Sequence, residues 1–269
     1  MLDRRAVLVG LTAAPLAACA TAPRDGVGPE LRLVTFNIWH NQGDWPGRLG
    51  RLVNELRSAD ADVIALQEVL EDAGAELPNQ AQTIAAALGG YEVHFSSVDA
   101  EGSRRRYGNA ILSRLPVLAH DWKKLEPLDD YRTALRVRVD LGGRAVDVVC
   151  THLAWQPDQA ATRARQVADL IAWLPRDGTP LAVMGDFNAE LTDVGLAALT
   201  GDRFFSALPR GAAATTLNPA MGHQLRVIDH IFAETAHFAP VLAEVLGDAA
   251  PEGLHASDHF GVTATVRLR

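Results

Sequence analysis

The stretch 31–39 reads LRLVTFNIW and sets the pattern for the rest of the chain. Its β-branched and aromatic residues recur at the two-residue spacing of a pleated strand, so it predicts a β-strand that ends at Asn37. Other short apolar runs predict further strands. They lie at 62–69, 91–96, 108–113, 117–125, 133–139, 144–151, 180–187, 226–233 and 258–268.

Three segments have the spacing of amphipathic helices. The first is 46–58, with Leu49, Leu52, Val53 and Leu56 on one face. The second is 78–90, closed by a glycine pair, and the third runs from a capping Asp158 to Trp173. Many short strands with few interleaved helices favour an α+β fold of two packed sheets with helices outside, over a parallel doubly wound sheet.

Composition narrows the classes of protein that the chain represents. Of 269 residues 48% are hydrophobic, which excludes a disordered or fibrous chain and fits one domain with a sizeable core. The net charge is −8, from 25 basic and 33 acidic residues, and does not suggest a protein that holds polyanions by bulk charge alone. Two cysteines, Cys19 and Cys150, exclude a disulfide framework and a cysteine-rich zinc site.

The N-terminal segment 1–19 has the features of an export signal. Arg4 and Arg5 precede a short apolar stretch, and Leu16 to Cys19 read LAAC, which resembles a lipoprotein signal-peptidase site. This predicts a lipid on Cys19 that attaches the protein to a membrane. An ordinary cleaved signal with a chance cysteine is the alternative. Ala20 stands where inner-membrane retention signals carry aspartate, so the expected location is the periplasmic side of the outer membrane.

The predicted domain organisation is therefore simple. Residues 1–19 are a signal peptide with lipobox, residues 20–30 a tether, and residues 31–269 the one folded domain. No obligate protein partner is evident.

Polar residues stand at or near the ends of several predicted strands. An acid in an apolar strand needs a compensating partner, and several at different strand ends suggest convergence on one cation. Oxygen ligands dominate this set and favour Mg²⁺, with Mn²⁺ possible, over zinc. Asp186 and Asn188 share a face, whereas the neighbours Asp258 and His259 reach one site only if the chain turns there. The set comprises Asn37, Glu68, His152, Asp186, Asn188, Asp229, Asp258 and His259.

Seven short motifs occur in the order typical of the endonuclease/exonuclease/phosphatase superfamily, and the chain resembles that superfamily from about Leu31 to Val266. The motifs are TFNIW (35–39), LQEV (66–69), GNAILSR (108–114), THL (151–153), GDFNA (185–189), VIDHIF (227–232) and SDHFG (257–261). The resemblance implies a four-layer α/β sandwich of two packed mixed sheets flanked by helices. It also implies Mg²⁺-dependent hydrolysis of phosphoester bonds.

The resemblance also implies roles for individual residues. Glu68 would be the principal Mg²⁺ ligand, with Asn37 and Asp258 beside it. Asp186 would position or deprotonate the attacking water, and Asn188 would touch the phosphate or a second metal ion.

The remaining roles concern proton transfer and the phosphoryl oxygens. His259, oriented by Asp229, would act as general base or as a charge stabiliser. His152 would stabilise the developing charge, helped by Arg132 and Asn109. Whether Asp186 or His259 is the base stays open. Taken alone, Asp229 is equally well explained as a satisfied core acid.

Three functional hypotheses follow. The first is a phosphodiesterase or endonuclease acting outside the cytoplasm on nucleic acid, with candidate groove arginines at 104–106, 132 and 163. The second is a phospholipid headgroup hydrolase, which fits a membrane anchor. The third is an inactive outer-membrane binding protein. Trp39 stands where repair endonucleases often carry an acid, which argues against abasic-site repair.

The other histidines and Cys150 are expected outside the chemistry. Cys150 lies in an apolar strand and should be a buried, inert thiol. His230 should face away from the site. Surface or loop positions are expected for His94, His120, His223, His237 and His255.

Overall fold

The structure is a computed structural model that describes residues 28–247, 253 and 255–269. The predicted signal peptide and most of the predicted tether lie outside the described residues. The first strand begins at Glu30, one residue before the predicted start of the domain.

Twelve strands and three α-helices make up the regular structure of the described residues. The strands are β1 (Glu30–Asn37), β2 (Val63–Asp72), β3 (Glu92–Ser97), β4 (Arg105–Ser113), β5 (Val117–Lys124), β6 (Thr133–Asp140), β7 (Ala145–His152), β8 (Leu181–Asp186), β9 (Phe204–Ser206), β10 (Asp229–Glu234), β11 (Phe238–Leu246) and β12 (Gly261–Leu268). The helices are α1 (Trp45–Ala59), α2 (Gln80–Leu88) and α3 (Ala160–Trp173).

The strands form two mixed sheets of six. One sheet has the order β11-β12-β1-β2-β4-β3, the other β5-β6-β7-β8-β10-β9. In the first, β1 and β2 are parallel, and in the second β7 and β8 are parallel, whereas the other pairs are antiparallel. The predicted α+β sandwich is therefore confirmed.

Three apolar clusters hold the layers together. The largest lies between the sheets and includes Leu33, Val148 and Met184. The second packs α1 and α2 against the outer face of the first sheet, and the third packs α3 against the outer face of the second. Alternate residues of one strand go to different clusters, as the two-residue period requires. Leu33 faces the other sheet, for example, while its neighbour Val34 faces the helices.

The boundaries of some elements differ from the sequence expectation. Asp158 is predicted to cap α3, but the residue before the helix is Gln159, whose side chain makes no capping hydrogen bond. The pattern does not predict β9 or β11. β11 carries Pro240 and a register shift between Pro240 and Leu242, which an edge strand tolerates because one side of its ladder is unpaired. None of the described helices is long and apolar enough to cross a membrane.

Candidate active site

The candidate site lies where inward-facing rows of apolar side chains end at the edge of both sheets. On β1 the row that holds Leu31 and Leu33 ends in Asn37, and on β8 the row that holds Met184 ends in Asp186. The same alternation brings His152 at the end of β7 and Asp229 at the start of β10 to this edge. The edge thus collects one polar group from each of four strands.

Three of these groups stand side by side in one sheet. His152 is opposite Asp186 in the parallel β7–β8 pair, and Asp229 is opposite Asp186 in the antiparallel β8–β10 pair. Close approach of β7 and β8 depends on Gly185, because a Cβ there would lie 1.9 Å from the carbonyl oxygen of Thr151. Asp186 is therefore the centre of a polar row.

Asn37 connects this row to the other sheet. Its Nδ2 donates to Asp186 Oδ2 at 3.0 Å and to Glu68 Oε1 at 3.2 Å, while its Oδ1 accepts from the backbone of Trp39 at 3.0 Å. The carboxylates of Asp186 and Glu68 therefore both accept hydrogen bonds from the buried side-chain amide of Asn37. This is the contact through which the two sheets share a site.

Glu68 reaches the site through a local distortion of β2. The register of β2 against β4 shifts between Leu66 and Val69, and Glu68 has φ 61°, in the left-handed region. A bulge re-aims a side chain that regular alternation would direct elsewhere. A left-handed backbone at a residue other than glycine stores strain, which is found most often at functional positions.

The segment before β12 turns, as the sequence analysis required for Asp258 and His259. β12 begins only at Gly261, so both residues precede the strand. Ser257 Oγ donates to the carbonyl of Asn37 at 2.7 Å and lies 3.3 Å from Asp258 Oδ1. Asp258 is thereby tied to the end of β1.

His259 stands between two carboxylates. Its Nδ1 is 3.0 Å from Asp229 Oδ2, and its Nε2 is 3.8 Å from Asp186 Oδ2. All three residues are buried, and the second oxygen of Asp229 has no hydrogen-bond partner among the described residues. Asp229 is thus not a fully satisfied core acid, and its contact is with the histidine of the site.

Burial and charge move the pKa values of this cluster. Burial, reinforced by the charge of Asp229, raises the pKa of Asp186 to about 7. Burial alone would lower the pKa of His259, but the charges of Asp229 and Asp186 outweigh it and raise that pKa to about 10. Burial and the charge of Arg132 lower the pKa of His152 well below its ordinary value. The cluster thus places acidic and basic groups of different proton affinity within reach of one another.

The predicted phosphate-binding residues occupy different positions relative to this cluster. Asn188 Nδ2 is 3.1 Å from His152 Nε2, and its φ of 51° turns the chain just after β8. Asn109 instead donates to the carbonyl and the hydroxyl of Thr133, at 3.0 and 3.1 Å. Arg132 lies over the ring of Tyr131, 4.5 Å from its centroid.

Of the candidate groove arginines, only Arg132 and Arg105 line the opening above the site. Arg163 is buried and donates to the carbonyls of Ala154 and Gln156, so it stabilises the start of α3. Arg106 pairs with Glu71 at 3.0 Å.

Among the histidines and Cys150, one expectation is wrong. His94 is buried on β3 and packs against His120, with 4.4 Å between ring centroids and 44° between the ring planes. His230 is buried with Nε2 2.9 Å from the carbonyl of Ala189, facing away from the site as predicted. Cys150 is fully buried, and burial raises the pKa of its thiol to about 12, which agrees with an inert thiol.

Sequence reasoning missed Arg48, a residue that shapes the site. The Arg48 side chain is 2% exposed and uses its five N–H groups on five backbone carbonyls, those of Ile38, Trp39, His40, Gln42 and Ala256, at 2.8 to 3.2 Å. Trp39 and His40 both have positive φ, so Arg48 holds the turn that follows Asn37. Its position four residues before Leu52, on the apolar face of α1, was the available signal.

Sequence reasoning also placed His223 outside the site. It does lie in a loop, but its Nε2 is 3.2 Å from Asp258 Oδ2. No spacing in the sequence indicates this contact, because 35 residues separate the two.

The donor chemistry beside the central cluster fits a hard divalent cation. Ligand atoms of Asp186, Asp229 and His259 lie within 4.8 Å of one another. The predicted ligands Asn37, Glu68 and Asp258 border this cluster, and the Glu68 side chain keeps 19% exposure. Carboxylate and amide oxygens are the donors that Mg²⁺ and Mn²⁺ prefer.

A cavity of about 480 Å³ opens over Glu68. Its wall includes Tyr107, Tyr131, Arg132 and Trp155. A narrow cleft that shares Tyr107, Tyr131 and Arg132 with it reaches His152. The cavity and the cleft therefore lead from the surface toward the cluster.

Comparison with known proteins agrees with this geometry. Residues 34–259 match the Endonuclease/Exonuclease/phosphatase family. Tyrosyl-DNA phosphodiesterase 2 of Mus musculus is 24% identical over 256 residues, which cover 87% of this chain and 66% of that protein, slightly less than two thirds of its length.

Solved structures show the same fold. An endonuclease/exonuclease/phosphatase from Beutenbergia cavernae DSM 12333 superposes with TM-score 0.73 and 25% identity, covering 89% of this chain and 72% of that one. The human Nocturnin catalytic domain with bound sulfate superposes with TM-score 0.72 and 21% identity, covering 90% of this chain and 94% of that one. D. rerio TDP2 complexed with single-strand DNA product superposes with TM-score 0.72 and 19% identity, covering 88% of this chain and 98% of that one. Since the family match spans the site from Val34 to His259, the chain belongs to the endonuclease/exonuclease/phosphatase family.

Proposed function

We propose that this protein is a divalent-cation-dependent phosphodiesterase that acts on nucleic acid outside the cytoplasm. One observation carries the proposal: Asp186 Oδ2 lies within 3.0 to 3.8 Å of side-chain nitrogens of Asn37, His152 and His259. Hydrolysis of an anionic diester needs an activated water and neutralised phosphoryl oxygens, and this arrangement supplies groups for both.

The base is assigned from the surroundings of the two candidates. The two ring nitrogens of His259 face Asp229 and Asp186, and two carboxylates favour the protonated imidazole. An imidazolium donates rather than accepts a proton, so His259 stabilises charge on a phosphoryl oxygen. Asp186 is then the group that orients the attacking water and accepts its proton.

The opposite side of the cluster holds the phosphoryl group. Asn188 Nδ2 donates to His152 Nε2 at 3.1 Å, so the two side chains are held in fixed relative positions. Arg132 adds a permanent positive charge where the cleft meets the cavity. Asn109 donates to the carbonyl of Thr133, the residue after Arg132, and so helps to position the start of β6.

The cation site is assigned to Glu68, Asn37 and Asp258. A Mg²⁺ or Mn²⁺ ion bound there supplies charge neutralisation at the non-bridging oxygens. Glu68 is the principal ligand because the β2 bulge directs a flexible, partly exposed carboxylate to the opening. Asp258, tied to Asn37 through Ser257, completes the set.

Nucleic acid is the proposed substrate class because tyrosyl-DNA phosphodiesterase 2 of Mus musculus is a relative over 87% of this chain. A phospholipid headgroup remains the competing substrate class, and the experiment includes it. The inactive-protein hypothesis has less support, since the predicted polar groups are linked by direct contacts.

Purified protein incubated with supercoiled plasmid, in Mg²⁺ or in EDTA, tests the activity. We expect nicking only with Mg²⁺ and none by a folded Glu68→Ala variant. Wild-type protein that binds Mg²⁺ and leaves plasmid intact but cleaves sphingomyelin or phosphoinositide vesicles would contradict the nucleic-acid assignment. Equal turnover by folded Glu68→Ala would contradict the assignment of the cation site.

Location is a separate part of the proposal and rests on the sequence LAAC at 16–19. A lipid on Cys19 would hold the domain on the periplasmic side of the outer membrane. Cys19→Ser should move the protein from the membrane fraction to the soluble periplasmic fraction. An unchanged distribution would contradict lipid anchoring.

A further inference from the structure

The cavity over Glu68 contains aromatic side chains that the proposed chemistry does not use. Tyr107, Tyr131 and Trp155 line it together with Arg105 and Arg132. Trp155 is 60% exposed and Tyr131 45% exposed. Large aromatic rings left open to solvent beside a catalytic cluster have surface available for a flat ligand.

The Tyr131 ring is fixed in place by its neighbours. Tyr107 meets it edge-on with 5.9 Å between ring centroids, and the guanidinium of Arg132 lies 4.5 Å from its centroid. His40 in turn meets Tyr107 edge-on at 6.0 Å. A ring held this way loses little freedom when a ligand stacks on it.

We propose that Tyr131 and Trp155 form a platform on which the nucleobase next to the scissile phosphate stacks. This inference rests on the proposed function and deepens it, because it assigns substrate recognition to two residues outside the chemistry. Every base has a π-face, so a stacking platform binds nucleotides without requiring a particular sequence.

The charges around the platform agree with a nucleotide. Arg132 lines both the cavity and the narrow cleft that reaches His152. Its guanidinium therefore lies between the position of a phosphate at the cluster and that of a base on the platform. Arg105 also lines the cavity, and its 61% exposed side chain is free to reach a flanking phosphate.

The same charges disfavour the other ligand that aromatic walls commonly bind, a quaternary ammonium such as choline. Arg132 already lies over the Tyr131 ring, 4.5 Å from its centroid, whereas the charge of Arg105 is offset by Asp72 at 3.8 Å. A choline headgroup would therefore have to compete with the guanidinium of Arg132 for the Tyr131 ring. The observations favour the base, and choline becomes an outcome of the test.

The test compares two substrates that differ only in the nucleoside. Thymidine 5′-p-nitrophenyl phosphate carries a base, whereas methyl p-nitrophenyl phosphate does not. We expect Trp155→Ala to lower the ratio of the two kcat/KM values by about fivefold or more, mainly through KM for the nucleotide. Trp155→Phe should retain most of the ratio. Trp122→Ala, which removes a 47% exposed tryptophan on β5, is the matched control and should leave the ratio unchanged.

A binding measurement provides a readout independent of turnover. Thymidine 5′-monophosphate should quench the tryptophan fluorescence of the wild-type protein, and Trp155→Phe should lose most of that quenching. The same titration with phosphocholine should give little change.

The outcomes separate this inference from the proposed function. An unchanged substrate ratio in Trp155→Ala, or equal loss on both substrates, would overturn the platform. Preference for p-nitrophenyl phosphorylcholine that depends on Trp155 would assign the cavity to choline and overturn it as well. No hydrolysis of any diester in Mg²⁺ or Mn²⁺ would contradict the proposed function, and the fluorescence titration would then decide the platform alone.

Discussion

His259 Nδ1 lies 3.0 Å from Asp229 Oδ2, although 30 residues separate them in the chain. Asp229 is also the register partner of Asp186 across the β8–β10 pair. One buried acid therefore orients the histidine and raises the proton affinity of the neighbouring acid. The pairing of β8 with β10 and the turn before β12 thus determine which groups of the site hold protons.

Asp229→Asn should lower kcat by about 100-fold or more, because the neutral amide no longer stabilises the imidazolium of His259. Substrate KM and Mg²⁺ affinity should change far less. Steady-state kinetics measure kcat and KM, and titration calorimetry measures the Mg²⁺ affinity. Asp147→Asn is the matched control, a fully buried acid on β7 that pairs with Arg138 and not with the site. A kcat for Asp229→Asn near that of the control would argue against the assigned role.

The left-handed backbone conformation of Glu68 is expected to lower the stability of the fold, while its carboxylate is needed for activity. Both Glu68→Gly and Glu68→Ala remove the carboxylate and should be inactive. Glycine adopts φ 61° without the steric penalty of a Cβ, so Glu68→Gly should be more stable than Glu68→Ala by about 1 kcal/mol. Thermal unfolding of the two variants in EDTA gives the comparison. A less stable glycine variant would show that the bulge is not strained.

Arg48→Met should destabilise the fold by about 3 kcal/mol or more, since several buried carbonyls lose their donor at once. Burial lowers the pKa of Arg48 to about 10. Urea unfolding measures the loss, with Arg51→Met on the same helix as control. Arg48→Lys should be intermediate. A loss no larger than in the control would mean that the 38–42 turn does not depend on this residue.

The buried His230 is expected to contribute to the fall in unfolding free energy at acidic pH. Burial lowers its pKa, so below about pH 6.5 the unfolded chain takes up a proton that the folded chain refuses. The stability contribution is present above that pH and is lost as the pH falls toward the lowered folded value. His230→Gln should therefore flatten the decline in unfolding free energy between pH 6.5 and 5 by up to about 1.4 kcal/mol per pH unit.

Urea unfolding at several pH values measures this slope, and His237→Gln controls for the removal of a histidine elsewhere. Only the slope is compared, so a general loss of stability in either variant does not affect the result. An identical slope in wild type and His230→Gln would contradict the prediction.

Much of the site could be predicted because the two-residue period of strands is visible in the sequence. The apolar rows that end in Asn37 and Asp186 follow directly from that period. The adjacency of Asp258 and His259 gave only a condition, that both reach one site if the chain turns there; the last strand was predicted from 258, whereas β12 begins at Gly261. The sandwich followed from the number and shortness of the strands.

Other features depend on tertiary contacts that local patterns do not contain. The bulge at Glu68 and the edge strand β11 both arise from irregular pairing with a neighbour. The burial of His94 depends on the position of β3 beside β5, which belongs to the other sheet. The meeting of Tyr107, Tyr131 and Trp155 joins three segments that are far apart in the chain.

Hydrolysis of bis(p-nitrophenyl) phosphate by the wild-type protein and by Asp186→Asn, each in Mg²⁺ and in EDTA, tests most directly whether Asp186 and a divalent cation carry the reaction. We expect Mg²⁺-dependent turnover by the wild type, no turnover in EDTA, and a loss of about 100-fold or more in a folded Asp186→Asn protein. Wild-type turnover that persists in EDTA, or a folded Asp186→Asn protein as active as the wild type, would contradict this expectation.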